Sequence, residues 1–179
     1  MTGALAALSI VRAAMLLATT SGAWERVQIG ASPVSMQMPG KLLSQPRNQL
    51  PEEGDWVRTV EEFVYSDDNV FVMASVFAGA EGTKVADHQL LEAMSALIFG
   101  IASADEKLTT QYTASISYDG NLARRRRLAI GPADGAFYAD LLVVAVGHRL
   151  VAVVTVAVTP QDPVSARILG TLRVGEPGR

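Results

Sequence analysis

Four consecutive arginines, Arg124 to Arg127, are the residues of this 179-residue chain whose type and spacing most clearly suggest chemistry. A guanidinium group carries a permanent charge and can hold a carboxylate or phosphate through two parallel hydrogen bonds. Neighbouring side chains of a strand point to opposite faces of a sheet, so the run divides into Arg124 with Arg126 and Arg125 with Arg127. We predict that these four arginines contact an anion or an acidic partner.

The preceding strand determines what each arginine pair faces. It carries hydroxyl groups on one side and mostly apolar groups on the other: Thr113, Ser115 and Ser117 against Tyr112, Ala114 and Ile116. One pair therefore lies over hydroxyl groups and is expected to bind an acidic partner or an anionic head group. The other lies over the apolar side, where a guanidinium can stack on Tyr112. The alternative is that all four arginines extend to water or contact acidic residues of the same chain.

Catalytic and metal chemistry have little support in the sequence. The chain has no cysteine and only two histidines, His88 and His148, which excludes thiolate zinc sites, cysteine nucleophiles and multi-histidine metal sites. A G-x-S-x-G nucleophile elbow and a glycine-rich phosphate loop are both absent. We therefore predict no catalytic residue, no metal site and no cofactor.

The acidic residues are interpreted as solvated surface. Asp87, His88 and Glu92 share a predicted helix start, but a metal site there would need further ligands. A second cluster lacks the spacing of a calcium loop and comprises Glu52, Glu53, Asp55, Glu61 and Glu62. The formal net charge of −3 also argues against nucleic acid as a partner.

The N-terminal segment predicts export. Residues 1–23 are apolar and end in Ser21-Gly22-Ala23, which is typical of a signal-peptidase site with Trp24 as the first mature residue. Arg12 lies inside the apolar run rather than before it, so a retained membrane-associated or buried helix is the alternative. Residues 24–179 are predicted to form a single domain in the periplasm or outside the cell, with no stable membrane span.

Hydrophobic periodicity predicts an α+β domain. We expect a strand within 33–40, a loop over 41–55, a hairpin formed by 56–65 and 70–77, and an amphipathic helix within 83–103. Two further hairpins turn at Asp119-Gly120 and Gly147-His148, and Asp162 caps a final helix. This order fits an antiparallel β-sheet with helices packed on it.

Four stretches, in this order along the chain, resemble the PsbP-like superfamily, which includes exported envelope proteins of the DcrB and LpqN type. They are SPVSMQMPG, YDGNLARRRRLAI, GAFYADLLVVAVGHRLVAVVTVAV and SARILGTLRV, and they span about residues 32–174. The resemblance implies a PsbP-like α/β/α sandwich and no shared catalytic residues. Because the cysteine of a lipoprotein is absent, it implies a form without a lipid anchor.

These observations predict an exported, non-catalytic envelope protein that acts as a protein-interaction or assembly module. The alternative is a carrier that holds a small ligand or lipid in a cavity between the helix and the sheet, lined by the leucines and methionine of the helix. Such an apolar helix stripe is more typical of core packing, so an envelope protein is favoured over a small ligand as the partner.

Overall fold

A computed structural model describes residues 23–45, 56–102, 106–132 and 135–175. Residues 1–22 of the predicted leader and residues 52–55 of the acidic cluster lie outside this part of the chain. The elements, in chain order, are β1 Glu25–Gln28, β2 Val34–Met38, β3 Leu43–Gln45, β4 Thr59–Ser66, β5 Val70–Ala78, α1 Asp87–Ile101, β6 Leu108–Tyr118, β7 Asn121–Ile130, β8 Phe137–Val146, β9 Arg149–Ala157, α2 Pro163–Gly170 and β10 Arg173–Val174.

Seven strands form the main sheet, in the order β3-β4-β5-β9-β8-β7-β6. Every neighbouring pair is antiparallel. The predicted hairpins β4–β5, β6–β7 and β8–β9 are confirmed, and β5 joins the first of them to the later meander by pairing with β9. Because β5 has a strand on each side and a layer on each face, it is apolar at nearly every position.

The two faces of this sheet support two separate cores. On one face α1 places Leu90, Met94 and Leu97 against side chains of β8 and β9 such as Leu141 and Val154. The opposite face is covered by α2 and a three-stranded sheet of order β1-β2-β10. Helices therefore lie on both faces of an antiparallel sheet, and the predicted α+β class is confirmed.

Local side-chain chemistry sets the turns and the helix start that the sequence predicts. Asp67 is buried, and its Oδ1 accepts hydrogen bonds from the backbone N–H groups of Asn69 and Val70 at 2.8 and 2.9 Å. The Oδ1 of Asp162 accepts from the N–H of Ser165 at 2.9 Å, and Pro163 is the first residue of α2. These contacts satisfy backbone donors that have no partner within the strand or helix.

Three short strands are missing from the sequence prediction. The prediction of a loop over 41–55 is wrong for β3, and β1 and β10 were not expected. β3 has three residues, all exposed, and β10 has two. Segments this short are not long enough to show an alternation of apolar and polar residues. They are strands because their backbones pair with β4 and β2.

The late hairpin β8–β9 lies in the core. The four valines expected to be buried are at most 2% exposed: Val143, Val144, Val153 and Val156. In the described part of the chain, no helix has both the length and the apolar character needed to cross a membrane.

The first prediction concerns this hairpin. Val153→Asp should lower the free energy of unfolding by about 4 kcal/mol or more, because an unpaired carboxylate would occupy a fully buried site. Val158→Asp is the matched control, since Val158 is 51% exposed and should tolerate the charge. Urea denaturation of both variants measures the difference. Equal stability of the two variants would contradict burial of β9.

Candidate functional site

The arginine run lies in β7, and its side chains divide between the two faces as predicted. Arg124 is paired across the β6–β7 ladder with Ser115 and Arg126 with Thr113, on the face covered by α1. Arg125 and Arg127 point to the opposite face, where β8 places Asp140 beside them. The assignment of one pair to the hydroxyl face is confirmed.

Arg125 and Arg127 share one carboxylate. Arg125 binds Asp140 with both ends of its guanidinium, Nε to Oδ1 at 2.9 Å and Nη2 to Oδ2 at 2.6 Å. Arg127 donates from Nη2 and Nε to Oδ2 at 2.6 and 3.2 Å. These three residues, Arg125, Asp140 and Arg127, are called the arginine–aspartate triad below.

Burial makes the triad a structural element. Asp140 is 5% exposed, so its carboxylate needs compensating donors, and the two arginines supply four. The pKa of Arg125 is raised above its usual value, chiefly by the hydrogen bond to Asp140, although desolvation opposes this effect. The hydrogen bond to Asp140 thus favours the charged form of Arg125.

The sequence carries one signal of the triad. Asp140 is the single charged residue of β8, whose other nine residues are apolar or tyrosine. A lone carboxylate in such a strand requires a cationic partner nearby.

Stacking of an arginine on Tyr112 does not occur, because Asp140 holds both guanidinium groups toward β8. In the described residues the guanidinium over an aromatic ring is that of Arg167, 4.0 Å from the centre of Trp24.

The two arginines on the helix face differ from each other. Arg124 binds Asp87 at the start of α1 through both Nη2 and Nε, with a closest distance of 2.6 Å, and it also contacts the Ser115 hydroxyl. Arg126 donates to Thr110 Oγ1 at 3.2 Å, and its Nε is buried without a hydrogen-bond partner. Asp87 therefore lies on an exposed helix face, as predicted, and forms an ion pair there.

Beside the arginines, β6 forms an edge of the main sheet. It pairs with β7 and has no described strand on its other side. Its first six residues, 108–113, are all exposed, and none of its eleven residues is charged. Sheet edges in soluble proteins are usually protected by charges, proline or short length. The opposite edge, β3, has only three residues, whereas β6 is long and uncharged.

Two cavities are further candidate binding sites. One of about 10 Å³, enough for a single water molecule, lies beside Asp140, Arg127 and Thr155. The other, of about 250 Å³, lies beyond the start of α1 and is lined by Trp56, Arg58, Ala80, Thr83, Lys84, Val85 and Gln89. In the described ranges no three histidine or carboxylate side chains lie close enough to share a metal ion.

The second prediction tests the triad. Asp140→Asn should destabilise the protein by about 3 kcal/mol, because two partly buried arginines would lose their common counter-charge. Asp68→Asn, in the exposed β4–β5 turn, is the control and should change stability by less than about 0.5 kcal/mol. Chemical denaturation provides the measurement. If Asp140→Asn were as stable as the wild type, the triad would contribute little to the fold.

Known proteins are similar to this chain in structure rather than in sequence. Neither a family model nor a curated protein sequence matches it. The solution structure of cyanobacterial PsbP (CyanoP) from Synechocystis sp. PCC 6803 superposes with a TM-score of 0.54 at 8% identity, over 89% of this chain and 99% of that one. PA94, a Pseudomonas aeruginosa protein of unknown function, gives a TM-score of 0.37 at 9% identity, over 81% of this chain and 89% of that one. This TM-score is too low to bear on the fold. The chain therefore has a PsbP-like fold, as its sequence resemblance implies.

Proposed function

We propose that this chain is an exported, non-catalytic envelope protein that acts as a protein-interaction module, and that β6 is the edge to which a partner adds a strand. The observation that carries the proposal is the length, exposure and lack of charge of β6. An added strand would satisfy the outward backbone groups of β6 and extend the main sheet. Its residues are also suited to strand pairing, since six of the eleven are threonine, tyrosine or isoleucine.

Arg126 gives the proposed partner a chemical character. Its guanidinium reaches Thr110 of β6 from β7, so it extends over β6 toward the free edge. A strand added to β6 would lie about 4.8 Å further out. A glutamate or aspartate of that strand, on the face covered by α1, would come within reach of the Nη2 end of Arg126. We therefore expect the partner segment to be extended and acidic on that face.

The carrier alternative has less support. The apolar side chains of α1 pack directly on the sheet, and each is at most 8% exposed: Leu90, Met94, Leu97, Ile98 and Ile101. The larger cavity lies beyond the N-terminal end of the helix rather than beneath this stripe. These contacts favour core packing of the helix over a ligand cavity beneath it.

The third prediction concerns export. The mature protein recovered from the periplasm or medium of a bacterial host should begin at Trp24, because Ser21 and Ala23 have the small side chains that signal peptidase accepts. N-terminal sequencing measures this. The double variant Ser21→Leu/Ala23→Leu should retain the leader. An intact Met1 on soluble cytoplasmic protein would contradict export.

The fourth prediction tests β6. Thr109→Lys/Thr113→Lys should fold normally, since both threonines are exposed, and should lose at least about tenfold in affinity for the envelope partner because lysines block strand addition. Arg126→Gln should also weaken binding by removing the contact to an acidic side chain. The measurement is affinity capture from envelope extract, followed by titration of the purified partner.

The control places the same two charges on the other edge. Leu43→Lys/Gln45→Lys in β3 should bind as the wild type does. Hydrogen exchange should show slower exchange of β6 amides when the partner is bound. Undiminished binding by the β6 variant, or protection confined to another surface, would refute this assignment.

A further inference from the structure

The 250 Å³ cavity beyond the start of α1 has a composition that points to a ligand. The residues that line it include the cationic Arg58 and Lys84, the aromatic Trp56, and the polar Thr83 and Gln89. None of the described residues that line it is a carboxylate. Neither cation makes an ion pair with a described residue. In a chain of net charge −3, two cations without a carboxylate partner among the described residues thus lie beside a tryptophan.

The backbone around the cavity is held in place by hydrogen bonds. The N–H of Gly79 donates to His148 O at 2.9 Å, and that of Val85 donates to Gly147 O at 3.1 Å. These two bonds fix the segment after β5 to the β8–β9 turn. On the other side, the N–H of Arg58 donates to Ala78 O at 2.7 Å. These hydrogen bonds tie parts of the cavity frame to the main sheet and to the β8–β9 turn.

Gly79 allows Trp56 to lie close to the backbone beside the cavity. A Cβ atom at position 79 would lie 3.2 Å from the backbone oxygen of Trp56 and 3.3 Å from its ring. Only glycine allows this approach without a shift of the indole. At the opposite wall, Gln89 is fixed because its Oε1 accepts a hydrogen bond from the N–H of Ala86 at 2.7 Å. The aromatic and polar walls are thus positioned before any ligand arrives.

Among the described residues, the aspartate and glutamate closest in sequence to the lining residues do not neutralise the two cations. Asp87, in the first turn of α1, is bound by Arg124 on the neighbouring strand. Glu81 lies in the same segment as the lining residues but is not among them. Arg58 and Lys84 therefore remain available to a carboxylate, sulfonate or phosphate.

From this arrangement we infer that the cavity binds a small organic anion that carries a flat aromatic ring. The ring lies against Trp56, and the anionic group is bound by Arg58 and Lys84. A cavity of roughly 150 Å³ accommodates benzene, so 250 Å³ suits a ligand of one or two rings. This site is separate from β6 and independent of the proposed protein interaction.

The test uses the two tryptophans of the chain, Trp24 and Trp56, as reporters. Each gives one indole N–H signal in a ¹⁵N-correlated NMR spectrum, and Trp24→Phe assigns them. Titration with 2-naphthoate should shift the Trp56 signal saturably, with a Kd below about 1 mM, while the Trp24 signal stays in place. The probe 2-naphthylmethylamine, of similar shape but positive charge, should bind at least about tenfold more weakly, and added salt should weaken naphthoate binding.

Matched variants separate local charge from net charge. Arg58→Gln/Lys84→Gln should reduce naphthoate affinity at least about tenfold, and each single variant by about threefold. Lys41→Gln/Lys107→Gln removes two exposed cations elsewhere and should bind as the wild type does. All four side chains are exposed, so the variants should keep the melting temperature of the parent.

Three results with naphthoate, its cationic analogue and the double variant would overturn the inference, and a fourth, with cyclohexanecarboxylate, would overturn its aromatic part. The three are a Trp56 signal that does not move with naphthoate, equal binding of the naphthylmethylammonium probe, and undiminished binding by Arg58→Gln/Lys84→Gln. Cyclohexanecarboxylate tests the ring: if it binds as well as naphthoate, the site does not select a flat aromatic group and the assignment to aromatic anions fails. Because none of these readouts involves β6, failure here is distinguishable from failure of the protein-interaction proposal.

Discussion

The pairing of β5 with β9 is the contact on which the rest of the structure depends. It runs over nine residue pairs, from Val70 with Ala157 to Ala78 with Arg149, and joins segments that lie some eighty residues apart in the chain. Both strands are apolar on both faces, so together they contribute to both cores. The same pairing brings the end of β5 beside the β8–β9 turn, where Gly79 bonds to His148, and it leaves β6 at the far edge of the sheet. The cavity and the free edge thus have a common structural origin.

Much of this fold could be predicted from the sequence because its longer elements each bury a regular pattern. The alternation in β6 and β7, the apolar runs of β8 and β9, the three-to-four residue spacing in α1 and the Asp162-Pro163 start of α2 are local signals, and the structure confirms them. The short strands β1, β3 and β10 could not be predicted, since their pairing is decided by residues far away in the chain. The cavity was missed for the same reason, because Trp56, Lys84 and Gln89 become neighbours only when the sheet and α1 pack together.

The sequence predicted which arginines share a face of the sheet, but not what each of them binds. Alternation correctly separated the four arginines into two pairs, yet it could not reveal that Asp140 binds one pair. That contact has a physical cause: a carboxylate in the apolar strand β8 is tolerable only when nearby donors satisfy it. Arg125 and Arg127 are therefore occupied within the molecule. If they bound an external anion instead, the buried carboxylate of Asp140 would be left unpaired. The two arginines on the helix face, Arg124 and Arg126, are therefore the remaining candidates for contact with a partner.

Between those two, the start of α1 favours Arg126 as the residue that meets a partner. Asp87 and Gln89 belong to the same first turn, and Asp87 is bound by Arg124 while Gln89 lines the large cavity. The Arg124–Asp87 pair is partly exposed and contributes at most about 1 kcal/mol, but it fixes the position of a helix end that frames the cavity. An acidic partner that captured Arg124 would have to displace Asp87 and disturb this turn. Arg126 makes no ion pair with a described residue, so a carboxylate that binds it displaces at most the hydrogen bond to Thr110.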